Sequence, residues 1–174
     1  SPVTIADYAA QAVIARHLAD AFGSLTMVGE EDAAALREAG HGLLRDEVAT
    51  AARMAWPAAS VDDVLDAIDL GNHDASGARY WTLDPIDGTK GFLRGGQYAV
   101  SLALIEHGKV MLGVLGGPNL SQNYSRSFDD PDARGCLFHA VRGGGAWSVP
   151  ADQPTMAARR LDASREEDIT AMRV

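Results

Sequence analysis

Apolar and polar positions change their period once along this chain, from helical spacing in the first third to near-continuous apolar runs from Tyr98 onward. Thr4 followed by Asp7 forms a capping box with a short acid, and Ile5 to Phe22 reads as a helix with Tyr8, Ala12, Val13 and Phe22 on its buried side. Met27-Val28-Gly29 is a short apolar run of the kind that ends a strand. Two alanine-rich stretches, Asp32 to Ala39 and Leu43 to Ala55, favour helix, with Gly40-His41-Gly42 joining them and Pro57 stopping the second. Ser60 with Asp63 opens a shorter helix that Gly71 closes. The polar segment Leu70 to Gly77 predicts a loop into a strand from Arg79 to Leu83. Tyr98 to Ile105 and Val110 to Leu115, around a turn at Glu106 to Lys109, predict a hairpin in a sheet covered on both faces. Cys136 to Val141 and Ala146 to Val149 form a second pair around Arg142-Gly-Gly-Gly145, while Asn119 to Arg134 is a polar surface loop. The fold class is therefore layered α/β, with helices packed on a largely antiparallel sheet.

The chain has 174 residues, enough for about one domain with a core. A formal net charge of −9 argues against a nucleic-acid polymer as partner, because such binding needs clustered Lys and Arg to displace counterions. No apolar run approaches the roughly 20 residues of a membrane span. Cys136 stands alone, so no internal disulfide forms, and a small buried strand residue fits its surroundings better than a reactive thiol. A reducing, cytoplasmic compartment is the simpler inference, with a targeting segment ahead of Ser1 left open. The glycine run after Arg142 lacks the Lys-Ser/Thr of a phosphate-binding loop and reads as a hairpin turn.

Chemistry concentrates between Trp81 and Arg94. Asp84 and Asp87 flank Pro85, whose ring presets the backbone of a tight turn, and Gly88, Thr89, Lys90 and Arg94 follow directly. Hard divalent ions take oxygen ligands and leave room for a substrate phosphate, which suits carboxylates and a carbonyl on a rigid turn. A second acidic cluster, Glu30-Glu31-Asp32, follows the Met27 run. Carboxylates that converge without a cation repel one another and take up protons, so their convergence itself points to bound metal. The plainer alternatives stay open here: Asp-Pro and Asp-Gly are also turn signals, and Asp7 is also a helix cap. Asn72, His73 and Asp74 suit a solvated loop.

Four blocks, Ser1 to Tyr8, Val28 to Glu31, Asp84 to Arg94 and Gln97 to Leu120, resemble the 3'(2'),5'-bisphosphate nucleotidases, lithium-sensitive phosphatases of the inositol monophosphatase superfamily. Lys90-Gly91-Phe92-Leu93-Arg94 is similar to the eukaryotic nucleotidase pattern, where members acting on inositol monophosphate usually carry a pair ending in Asn-Phe. The resemblance implies a Mg²⁺-dependent phosphomonoesterase with two or three ions, held by Glu30, Asp84, the carbonyl of Ile86 and Asp87. Glu31 would stand behind these ligands. Asp7 and Thr89 match the positions that orient and deprotonate the attacking water, and Gly88, Thr89 and Lys90 would contact the substrate phosphate. Adenosine 3',5'-bisphosphate is the implied substrate, with 3'-phosphoadenosine 5'-phosphosulfate second. An inositol phosphate phosphatase, or a non-catalytic fragment, are the alternatives. By the same resemblance, residues 1–149 form an N-terminal catalytic domain truncated at its start. Residues 150–174 are a linker and the beginning of a second domain, mostly absent, that supplies further metal, phosphate and base contacts.

Overall fold

The computed structural model describes residues 3–123 and 125–163, so Ser1 and Pro2 of the first block and the expected passage into a second domain after 163 lie outside the described residues. Helix α1, Ile5–Phe22, begins at Thr4: its hydroxyl accepts from the Ala6 N–H at 3.2 Å, and its own N–H donates to Asp7 Oδ2 at 2.8 Å. The buried stripe of α1 is Asp7, Ala9, Gln11, Ala12, Ala15 and Leu18. Small side chains at Ala9, Ala12 and Ala15 let α1 lie between two neighbours at once, the helices α3 (Gly42–Ala52) and α4 (Val61–Asp69) on one side and strand β2 (Arg79–Asp87) on the other. Tyr8 and Val13 are half-buried as expected, but Phe22 is 59% exposed at the helix end, with its ring 5.5 Å from that of Trp81.

The two alanine-rich stretches yield less helix than expected. Only α2, Ala34–Arg37, and α3 form, because a turn at Glu38 to His41 interrupts the first and the second unwinds at Arg53, ahead of Pro57. Ser60 caps α4 through a complete capping box with Asp63.

The sheet runs in the order β1 (Met27–Val28), β2, β3 (Ala99–Glu106), β4 (Lys109–Gly117), β5 (Cys136–Val141), β6 (Gly145–Pro150) and β7 (Arg159–Leu161). Among the described residues, the β1–β2 pair alone is parallel and the other neighbours are antiparallel. The segment after Pro150 is a turn that returns the chain so that β7 pairs with β6. Met27, Trp81, Leu83 and Leu104 pack beneath Ala15 and Leu18 of α1. The expectation of a sheet covered on both faces fails among the described residues. Helices cover one face, and on the other Thr82, Ser101, Ala103, Gly113, Phe138 and Ala140 line an open hollow of about 350 Å³.

Strand β2 extends four residues beyond its expected end at Leu83. Asp84 pairs with Ser101 and Asp87 with Ala99, so β2 carries one residue more than β3 over this interval. The tight turn expected at Pro85 is therefore a β-bulge. Pro85 has no N–H to give to a ladder, and a bulge is where a strand tolerates that. The Ile86 N–H turns instead to Asp84 Oδ1 at 3.2 Å.

Candidate active site

Acids three residues apart in a regular strand point to opposite faces, since side chains alternate. The bulge reverses this outcome: Asp84 and Asp87 oppose Ser101 and Ala99, two residues apart on β3, and so share the face away from the helices. Gly88 then takes a left-handed backbone at φ 87°, a conformation glycine adopts without strain, and starts the short helix α5, Thr89–Leu93. Thr89 is buried and its hydroxyl donates to the Ile86 carbonyl at 3.1 Å. Lys90 is exposed on α5, and Arg94 is exposed just beyond it.

The second acidic cluster arrives beside the first because β1 pairs in parallel with β2, Met27 opposite Trp81 and Val28 opposite Thr82. The chain leaves β1 at the same end as β2 delivers Asp84. Glu30 and Asp84 lie close enough for each carboxyl group to act on the other. Desolvation first, then the charge and hydrogen bond of Asp84 and the charge of Asp7, raise Glu30 above its ordinary value. Glu31 is buried, and burial, then the charges of Asp7, Glu30, Asp32 and Asp84, push it up to about 7. Asp7, itself buried, is anchored by the N–H and hydroxyl of Thr4.

Asp7, Glu30, Glu31 and Asp84 are thus neighbours, while Asp87 is exposed and borders a separate apolar hollow of about 480 Å³ lined by Tyr98, Leu115, Leu120, Phe128 and Phe138. Among the described residues, no three His, Cys, Asp or Glu side chains close around one point. That set still fits Mg²⁺, which is usually held by one or two carboxylates together with waters and substrate phosphate, rather than by an all-protein cage. All the available donors are oxygens, and a cation beside Glu30 and Asp84 would relieve the repulsion between their charges.

Two residues near these acids carried no expectation of a place at the site. Tyr8 lies within electrostatic range of Glu31, Asp32 and Asp7, and burial, then those charges, raises its phenol. Gln11 is fully buried: its Oε1 accepts from the Glu31 N–H at 3.0 Å, and its Nε2 donates to the carbonyls of Glu31 at 2.5 Å and Ile68 at 2.9 Å. A polar residue one turn after Asp7, on the buried stripe of α1, is the signal that could have found it.

The sequence model of the inositol monophosphatase family matches residues 1–172, and the chain belongs to that family. Among curated proteins it is similar to 3'(2'),5'-bisphosphate nucleotidase 1 of Arabidopsis thaliana, with 44% identity over 162 residues, covering 84% of this chain and 46% of the relative. The 3'(2'),5'-bisphosphate nucleotidase 1 of Candida albicans (strain SC5314 / ATCC MYA-2876) is 45% identical over 159 residues, covering 84% of this chain and 43% of its own length. The nucleotidase of Schizosaccharomyces pombe (strain 972 / ATCC 24843) is 42% identical over 156 residues, with 84% and 44% covered. The chain spans less than half the length of each of these relatives. Among solved structures, an IMPase/NADP phosphatase complexed with Mg²⁺ and phosphate matches 84% of this chain and 37% of that one, at 22% identity and a TM-score of 0.47.

Proposed function

We propose that the protein to which this chain belongs is a Mg²⁺-dependent phosphomonoesterase that removes the 3'-phosphate of adenosine 3',5'-bisphosphate. The observation that carries this reading is the facing carboxyl pair Glu30–Asp84, flanked by Asp7 and Glu31, in a chain whose relatives are nucleotidases. Glu30, Asp84, the Ile86 carbonyl and Asp87 would share the two or three ions of the complete enzyme, with no one ion needing more than two of these carboxylates. When bound, Mg²⁺ supplies a Lewis acid that lowers the pKa of water and steadies the leaving oxygen. Asp7, tied down by Thr4, and Thr89, donating to the Ile86 carbonyl, would orient the water and take up its proton. Gly88 and Lys90, at the start of α5, would meet the phosphate, the first through its N–H and the second through its charge. The apolar hollow beside Asp87 gives a flat nucleobase more to bury against than the polar rim of an inositol ring would find. 3'-Phosphoadenosine 5'-phosphosulfate, which carries the same ring and 3'-phosphate, is a second substrate on this reading.

The test is phosphate release by the full-length protein from adenosine 3',5'-bisphosphate and from inositol phosphates, with and without Mg²⁺ and Li⁺. Mg²⁺-dependent release from the nucleotide, inhibited by Li⁺ and lost in Asp87→Asn, is the expected result. Turnover of inositol phosphates alone would move the substrate assignment and leave the metal chemistry standing. Undiminished turnover in Asp87→Asn would refute the role of that carboxylate.

A further inference from the structure

Gln11 has no place in the chemistry above, yet it is the polar side chain most completely enclosed beside the acids. Its carboxamide pairs with both peptide groups of one residue, accepting from the Glu31 N–H and donating to the Glu31 carbonyl, as a neighbouring strand would. The remaining N–H reaches the Ile68 carbonyl near the end of α4. Three separate segments, α1, the segment after β1 and the end of α4, are joined through this one amide. The site is shaped to receive it. A Cβ on Gly29 would stand 2.5 Å from Gln11 Oε1, and one on Gly71 would stand 2.6 Å from Nε2. Gly29 and Gly71 are themselves linked, the Gly29 N–H donating to the Gly71 carbonyl at 2.8 Å.

We propose that Gln11 is a positioning residue for the metal-holding acids, clamping the Gly29–Glu31 segment to α1 so that Glu30 meets Asp84 and Glu31 stays beside Asp7. The proposal rests on the metal reading of those acids given above. Its physical basis is that four carboxylates gathered on three segments repel one another until a cation arrives, so something uncharged must hold the segments together beforehand. Asp7 and Gln11 stand four residues apart on α1, on one face of the helix. The clamp that fixes the Glu31 backbone therefore also fixes its distance from Asp7. Few side chains can replace the amide. Glutamate offers no donor to the two carbonyls, asparagine is one methylene shorter, and methionine has the length without the hydrogen bonds.

The experiment is calorimetric titration of the full-length protein with Mn²⁺, as a probe for the Mg²⁺ site, alongside the Mg²⁺ concentration that half-saturates phosphate release. Wild type, Gln11→Met and Gln11→Asn are compared well below their unfolding temperatures. Loss of a group that supports metal ligands from behind typically weakens metal affinity by about 10–100-fold. Gln11→Met should show a loss in that range, a matching rise in half-saturating Mg²⁺, and recovery of kcat once metal is saturating. A merely structural role would lower the unfolding temperature and leave the metal titration unmoved. Should Gln11→Met fail to fold, Gln11→Asn decides by the same titration. A folded variant with wild-type Mn²⁺ affinity overturns the proposal. Wild-type protein that neither binds Mn²⁺ nor releases phosphate overturns the metal reading and this inference with it; wild type that does both, matched by its Gln11 variants, sinks the positioning role alone.

Discussion

Gly91→Ala sets a local preference against a tertiary contact, and the two predict opposite signs. Gly91 lies within α5 and is not among the residues with positive φ, so its backbone would accept a side chain. Helix propensity alone then predicts that alanine stabilises by about 1 kcal/mol. A Cβ at this position, however, would stand 2.0 Å from the Gln97 carbonyl oxygen, where real Cβ contacts essentially never fall below 3.0 Å. The helix or the Gln97 peptide must withdraw by about 1 Å to restore that limit. The obstacle is backbone, so no change of rotamer relieves it. Gln97 is also held in place by its side-chain amide, which donates to the carbonyls of Asn119 at 3.1 Å and Phe128 at 3.0 Å. Overpacking of this kind costs about 1–3 kcal/mol. Losing the Gly96 N–H to Gly91 carbonyl bond, 2.9 Å in the structure, adds about 1 kcal/mol more. The clash outweighs the propensity gain, for a net destabilisation of about 1–3 kcal/mol. Urea unfolding of the full-length protein measures this directly. On the proposed function, which places Thr89 at the start of α5 beside the reacting phosphate, the same shift should reduce phosphate release by on the order of 100-fold. A midpoint equal to or above wild type, with unchanged turnover, would refute the reasoning.

Ser60→Ala removes the hydroxyl that accepts from the Asp63 N–H at 3.1 Å, and thermal unfolding should show a loss of about 1 kcal/mol with no change in metal affinity. Ile68→Ala empties a fully buried position in the helical core, and denaturant unfolding should show a loss of about 2–5 kcal/mol. The Asp69 carboxyl would be raised by burial, but hydrogen bonds from the Ala33 N–H, Arg37 and Asn72 outweigh this and hold it below 3.8. A folded pKa below the unfolded one means that the contribution of Asp69 is present above pH 3.8 and lost as pH falls through its folded value. The stability difference between wild type and Asp69→Asn should accordingly shrink over that acid range in a pH series of unfolding curves; a difference that stays constant there would refute the linkage.

The elements that sequence alone located correctly are those specified by neighbours in the chain. The capping boxes at Thr4 and Ser60 satisfy their own helix N–H groups, so α1 and α4 begin where the residues say. The hairpins β3–β4 and β5–β6 follow from apolar runs around glycine-bearing turns. The acids of the candidate site stood out in the sequence as well, Glu30 to Asp32 after an apolar run and Asp84 and Asp87 around a proline, but not their meeting in space. The failures share a cause. Pro85 was read as part of a tight turn because its ring presets the backbone, but pairing with β3 supplies a bulge that tolerates it and carries β2 on to Asp87. A sheet face was read as covered because its strands are apolar, and apolar runs do not say which element packs on them.

Chain-local chemistry therefore determined the two helix starts, the hairpins and the stock of carboxylates and glycines from which a metal site could be made. Only the tertiary structure decided that Asp84 and Asp87 share a face, that Glu30 comes beside Asp84, and that a glutamine from the first helix holds the Glu31 backbone against that helix. Each of these depends on strand register or on contacts between segments 20 or more residues apart, as in the bond from Gln11 to Glu31. No pattern of neighbouring residues encodes such a contact, because its energy appears only once the sheet and helices have come together.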